Sequence, residues 1–235
     1  MGGGGSKEKK NKEPKPETTN GDPSPAPTPA PAAASAPPVV VEAWGSTGDG
    51  GRMGVEAGKE VQLLTLTHGT TGMSASIMTL GCILVDLHVA DGSGRRDDSS
   101  NVVLGFESLQ RYLDGHPAFG ALCGRVAGRI ANSSLPDGTA LSANSGPHHL
   151  HGGVQGFMAK VWNAEIASQD PEAPAVRLSY VSEAGEEGYP GTLTTSCTYT
   201  LTAANGLRID YTAEVAGAGA RRSCPCPWPC PCLLT

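Results

Sequence analysis

Two arginines four residues apart, Arg125 and Arg129, and a histidine cluster, His148, His149 and His151, are the groups in this chain best placed to do chemistry. They lie in one stretch, Gly120 to Gly156, that is otherwise poor in charge and is threaded with glycine at Gly124, Gly128, Gly152 and Gly153. A guanidinium offers several fixed N–H donors, and an imidazole donates from one nitrogen while accepting at the other. Glycine lets the backbone pass close to both. That combination suits a polar pocket for a neutral, hydroxyl-rich ligand. The histidines also invite a metal, with His149 and His151 expected on one strand face. Zinc needs four ligands, or three and a water. No Asp, Glu or Cys stands beside them at a ligand spacing, so no metal is expected. Glu186 and Glu187 sit in a Gly/Pro turn and read as a hairpin connection rather than a catalytic carboxylate pair.

The elements that must position these groups read as strands. Glu60 to Thr67, Met73 to Leu80 and Cys82 to Ala90 come before the Gly-rich stretch, with Val85, Leu87 and Val89 expected on one face of the third. Ser108 to Leu113 is the one good helical turn, with Leu109 and Leu113 stacked one turn apart. After the stretch, Lys160 to Ala167, Ala175 to Val181, Gly191 to Leu201 and Leu207 to Val215 are further strands, joined by Gly/Asn/Pro turns. Many alternating strands with short turns predict an antiparallel all-β sandwich.

Composition bounds the rest. The chain has 235 residues, enough for one domain with tails. Its net charge of −6 argues against nucleic acid as a partner. No apolar run is long enough to span a membrane, and no apolar segment follows the start as in a secretory signal. Cys82, Cys123 and Cys197 are scattered as in a reduced, cytoplasmic protein. Residues 1–55 read as a disordered tail: Gly-rich, then Lys-rich, then alternating Pro and Ala, which favours an extended spacer, with a hint of order at Val39 to Glu42 and Trp44 that a Gly-rich run breaks again. Gly2 with Ser6 fits the N-myristoylation pattern. One acyl chain alone holds a membrane only weakly, so a mostly soluble protein with weak membrane association through Gly2 is expected. Residues 56–219 read as the folded domain, and residues 220–235 as a Cys/Pro-rich tail whose prolines hinder a closed metal cage.

Four motifs in order, GRVAGRI (Gly124 to Ile130), LHGGVQGF (Leu150 to Phe157), GEEGYPG (Gly185 to Gly191) and CTYTL (Cys197 to Leu201), resemble the aldose 1-epimerase, or galactose mutarotase, family. The likeness runs from about Val61 to Val215. It implies a galactose-mutarotase-like antiparallel β-sandwich and an isomerase that interconverts the α and β anomers of aldohexoses such as galactose and glucose, with no cofactor. In that chemistry one group removes the proton of the anomeric hydroxyl and another protonates the ring oxygen, so both need a pKa suited to neutral pH.

By motif, Arg129 matches the family's substrate-binding arginine and His151 its first active-site histidine, with Gly152 and Gly153 letting the backbone approach. Gly128 stands where the family has Asn, and loss of one neutral hydrogen bond should weaken sugar binding by about 1 kcal/mol. The family's later N-H-x-x-[FY]-N-L segment with its general acid His, and its substrate Asp and general base Glu, have no counterpart here. The sequence therefore reads as the first portion of the sandwich followed by a non-family tail, incomplete, weak or inactive as a catalyst, and left with open strand edges that seek a partner. The alternative reading is a non-catalytic carbohydrate-binding or interaction protein, or a truncated product without function.

Overall fold

The computed structural model describes residues 1–2, 36–89 and 100–216. The polar loop after residue 90, most of the Pro/Ala spacer and the Cys/Pro-rich tail fall outside them. Residues 1–35 form one unit, of which only Met1 and an exposed Gly2 are described, and residues 36–235 form another.

The first sheet is a four-stranded antiparallel meander of β1 (Val39–Ser46), β2 (Glu60–Thr67), β3 (Ser74–Met78) and β4 (Ile83–His88), in the order β1-β2-β3-β4. Both of its faces are buried. On β2, Leu64 and Leu66 enter one core while Val61 and Leu63 enter a second. Successive side chains on a strand point to opposite sides, so the paired leucines at 63 and 64 serve both. The second core is closed by the short helix α1 (Leu109–Leu113), whose Leu109, Tyr112 and Leu113 pack against Met78, Ile83 and Val85.

After α1 the chain passes through a two-stranded ribbon, β5 (Arg129–Ile130) and β6 (His149–Leu150), before the second large sheet. That sheet contains β7 (Asn163–Ser168), β8 (Ala175–Ser182), β9 (Thr192–Thr202) and β10 (Gly206–Ala216), antiparallel in the order β10-β9-β8-β7. Val176 and Leu178 of β8 and Cys197, Tyr199 and Leu201 of β9 meet Leu64, Leu66, Ala75 and Ile77 of the first sheet in the main core. Two sheets face to face around a common apolar layer make a β-sandwich, with five residues of α-helix among those described. Trp162 fills the layer beside Phe157 and Tyr180, and the Tyr199 hydroxyl donates to the carbonyl of Cys82 at 2.7 Å, pinning one sheet to the other. The three described cysteines are free and buried; burial pushes the Cys197 thiol up to about 12, which leaves it unreactive near neutral pH.

Two expectations need correction. Residues 39–46 lie within the stretch read as tail, yet they form β1, hydrogen-bonded to β2 from Val39↔Leu66 to Ser46↔Glu60. The strand exists because β2 offers it an edge, and Val39 is buried in the main core. On β4, Val85 does not share a face with Leu87 and Val89. The pairing with β3 steps from Ser76↔Asp86 to Ile77↔Leu84, which leaves Val85 as the extra residue of a bulge. Val85 then packs with Ile83 on the α1 side, while Leu84, Leu87 and Val89 face the main core.

Candidate functional site

The ribbon pairs Arg129 with Leu150 and Ile130 with His149, and so brings the two halves of the Gly-rich stretch side by side. One residue further out, Gly128 and His151 bind each other twice. The His151 amide donates to the Gly128 carbonyl at 3.0 Å, and the Gly128 amide donates to His151 Nδ1 at 3.1 Å. Both sit at positive φ, Gly128 at 81° and His151 at 51°. Because Nδ1 accepts, the neutral ring carries its proton on Nε2. His151 is thus a pinned, half-buried ring whose second nitrogen is a donor, with no hydrogen-bond partner at Nε2 among the described residues.

Arg129 is exposed, and its guanidinium touches only the Ser145 hydroxyl, at 3.3 Å, among the described residues. No carboxylate pairs with it there, so the sheet-covering ion pair that arginines often make is not formed. Arg129, opposite Leu150, and His151, bonded to Gly128 on the next rung, are thus two hydrogen-bond donors carried by one end of the ribbon.

The other two histidines have different tasks. His149 is fully buried, with Nδ1 on the Ser142 carbonyl at 2.7 Å and Nε2 on the Tyr189 hydroxyl at 2.8 Å. A carbonyl only accepts, so Nδ1 carries the proton and the Tyr189 hydroxyl donates to Nε2. His148 accepts from the Asn132 amide through Nδ1 at 3.1 Å. His149 and His151 do not present a common face, because the chain leaves the strand at His151. Among the described residues no group of three or more His, Cys, Asp or Glu is placed to hold a metal.

Gly152 has φ of 87°, and a Cβ there would fall on the carbonyl oxygen of Gly124. A Cβ on Gly153 would meet the carboxylate of Glu187. The turn after His151 is thus laid directly on the backbone that leads to Arg129. Gly128, in contrast, has nothing within 4 Å of its missing Cβ.

Three residues named in the sequence, Arg125, Glu186 and Glu187, hold this arrangement through contacts that their sequence positions do not show. Arg125 donates from Nε to Ser182 Oγ at 2.8 Å, and from its terminal nitrogens to the carbonyls of Ser182, Glu183 and Gly191 at 2.7, 2.9 and 2.9 Å. Its guanidinium also lies over the Tyr189 ring, 5.4 Å from the centroid. This clamp ties the start of the Gly-rich stretch to the β8–β9 connection. Glu187 belongs to that connection, as the turn reading expects, but its carboxylate accepts from the amides of Val154 and Gln155 at 3.1 and 2.7 Å and so holds the far side of the His151 turn. Its neighbour Glu186 accepts from Lys160 Nζ at 2.7 Å, from the Tyr180 hydroxyl at 2.7 Å and from Ser182 Oγ. The available signal was an Arg four residues before Arg129 together with two carboxylates in a Gly-rich turn; the sequence does not show that they meet.

Burial alone would raise the Glu186 carboxyl, but the bonds from Lys160, Ser182 and Tyr180, with the charge of Lys160, hold it below the usual carboxylate value. A folded value depressed in this way contributes stability that is present above the unfolded value of about 4.3 and is lost as pH falls through the folded value. Thermal melting between neutral pH and about pH 3 tests this. Glu186→Gln is expected to melt below the wild type at neutral pH and to converge on it in acid; parallel curves would show that Glu186 carries no such linkage.

Comparisons with known proteins give the family of the chain. An aldose 1-epimerase family model matches residues 62–220. The galactose mutarotase of Sus scrofa is 42% identical over 147 residues, which are 61% of this chain and 40% of the pig protein. The aldose 1-epimerase of Escherichia coli (strain K12) is 36% identical over 163 residues, 67% of this chain and 44% of that protein. Among solved structures, an aldose epimerase homologue from C. elegans aligns with a TM-score of 0.56 at 30% identity, covering 66% of this chain and 46% of that one. The galactose 1-epimerase of Lactobacillus acidophilus NCFM shares the fold with a TM-score of 0.63 at 23% identity, over 77% of this chain and 49% of that one. This chain spans about two fifths of the length of the curated relatives it matches. With the family match covering more than half of its residues, the chain belongs to the aldose 1-epimerase family.

Proposed function

We propose that this chain binds an aldohexose, such as galactose or glucose, through Arg129 and His151, and that on its own it catalyses anomer interconversion weakly or not at all. The observation that carries the reading is the bond from the Gly128 amide to His151 Nδ1, which leaves Nε2–H as a donor without a partner among the described residues, one rung along the ribbon from an Arg129 that no carboxylate pairs there. Two donors so placed suit the oxygens of a neutral sugar. Opening the sugar ring also needs a group to take the proton from the anomeric hydroxyl and one to protonate the ring oxygen. His151 is held as a donor, and neither it nor Arg129 is paired with a carboxylate base among the described residues. On this reading the described groups of the site hold the sugar and leave its protons in place.

The test is polarimetry on freshly dissolved α-galactose, with saturation-transfer NMR of the same mixture. The expected result is saturable sugar binding with anomer equilibration at the buffer rate. Equilibration that accelerates in proportion to protein would overturn the weak-catalyst reading, and absence of binding would overturn the site.

Gly128 offers a gain-of-function check. At φ of 81° with open space around it, the position accepts Asn, which tolerates the left-handed region better than other side chains. Gly128→Asn should restore one amide bond to the sugar and tighten binding by about fivefold. Titration by NMR reads it, and an unchanged or weaker affinity would show that the amide does not reach the ligand.

Gly2, exposed in the structure, belongs to the same set of proposals: acylation there would give a protein of the cytoplasm a weak, reversible hold on membranes. No described helix is long and apolar enough to cross one. The mass of the N-terminal peptide from expressing cells checks the acylation.

A further inference from the structure

The two sheets have four edge strands, β1 and β4 in the first, β7 and β10 in the second. Unpaired edges expose backbone donors and acceptors, and proteins commonly guard them with bulges, prolines, lysines or short length. Three of these edges are interrupted: β1 between Ala43 and Gly45, β4 opposite Ser76 and Ile77, and β7 between Ile166 and Ser168. β10 is not. It pairs with β9 without a register break from Gly206↔Thr202 to Ala216↔Thr192, over eleven residues, and contains neither Pro nor Lys. Along its other side no strand lies among the described residues. Leu207, Ile209 and Tyr211 on its inner face are only partly buried against the main core, and Val215 is 56% exposed.

We propose that β10 is the docking edge for a second copy of this chain, two β10 strands pairing antiparallel about a two-fold axis at Tyr211. The residues of β10 single out this register. With Tyr211 opposite Tyr211, all eleven positions pair, Gly206 to Ala216. On the outer face Arg208, which also donates to Asp210 of its own strand at 2.9 Å, then stands opposite Glu214 twice, and Asp210 opposite Thr212. On the inner face Leu207 meets Val215 and Ile209 meets Ala213, so the exposed end of one strand covers the partly buried start of the other. Cross-strand pairs of opposite charge and of apolar residues stabilise a sheet, and like charges directly opposite oppose it. A two-residue shift one way puts Asp210 against Asp210; the other way puts it against Glu214 twice. A one-residue shift sets apolar side chains against polar ones. The product is a continuous eight-stranded sheet with the two cores on the same side.

Sedimentation velocity on the full 235-residue chain over a dilution series tests the proposal. A dimer that dissociates on dilution and weakens with rising salt is expected. Arg208→Glu and Glu214→Arg should each weaken it by about tenfold, because each turns two attractive pairs into two repulsive ones. The double variant R208E/E214R should return the affinity to within about threefold of wild type, since the cross-strand pairs are restored with their signs exchanged and only the exposed Arg208–Asp210 pair within each strand is lost. Arg208 is 69% exposed at its side chain and Glu214 is exposed, so the swaps leave the core untouched, and the melting temperature of each variant confirms that it folds. A monomer at every concentration overturns the proposal. So does a dimer that ignores the charge swap, because it would use another face.

Discussion

Replacing Gly152 by alanine is expected to destabilise the fold by about 3–5 kcal/mol and to abolish sugar binding in the molecules that still fold. Two costs combine. At φ of 87° an L-residue enters a region that disfavours a Cβ, worth about 1–2 kcal/mol. The added carbon would also land on the Gly124 carbonyl oxygen, and backbone cannot swing aside as the end of a side chain can. Relief requires the turn after His151 to lift from the segment that carries Gly128 and Arg129, breaking the reciprocal bonds between Gly128 and His151. The control is Gly128→Ala. Its φ is also positive, at 81°, but no atom lies within 4 Å of the new Cβ, so only the backbone term of about 1–2 kcal/mol remains. Chemical denaturation of both variants, with NMR titration of galactose, reads the difference. Equal stabilities would mean that the Gly152–Gly124 contact is not a determinant of the site.

That contrast between two glycines of one stretch shows what the sequence could disclose. The strands that pair within hairpins were legible, because alternation and turn residues are local: the strands expected at Ala175 to Val181, Gly191 to Leu201 and Leu207 to Val215 form as Ala175–Ser182, Thr192–Thr202 and Gly206–Ala216, and the Glu186 turn joins two of them. The motif glycine at 152 was legible as a place of close backbone approach. What was not legible depends on partners far along the chain. β1 follows a Pro-rich segment and precedes a Gly-rich one, and only pairing with β2 makes it a strand. The bulge at Val85 leaves no mark in the alternation of β4, since it is set by how β3 lies beside it. Arg125 finds its acceptors 57 to 66 residues away, and His149 its tyrosine 40 residues away, and no periodicity encodes such bonds.

Arg125 and Arg129, four residues apart and alike in the sequence, are expected to give opposite results when removed. Arg125→Ala should cost about 2–4 kcal/mol of stability, the loss of several hydrogen bonds from one side chain. It would strip four donor bonds from a half-buried turn and leave the carbonyls of Ser182, Glu183 and Gly191 with one partner fewer, while Glu186 loses a nearby positive charge. Burial lowers the Arg125 guanidinium's pKa, but a guanidinium stays charged, so its removal is the loss of a hydrogen-bonded cation rather than of a neutral group. Arg129→Ala should change stability by less than about 0.5 kcal/mol, as for an exposed side chain with one weak contact. Sugar affinity should fall instead, by about tenfold or more, the value of hydrogen bonds from a charged donor. Arg129→Lys should recover only part of it, because an ammonium cannot reproduce the planar fork of donors. Melting curves and galactose titrations on the three variants decide the matter. If Arg129→Ala binds sugar as the wild type does, the ribbon is not the sugar site; if Arg125→Ala melts as the wild type does, the clamp is not what holds the Gly-rich stretch to the second sheet.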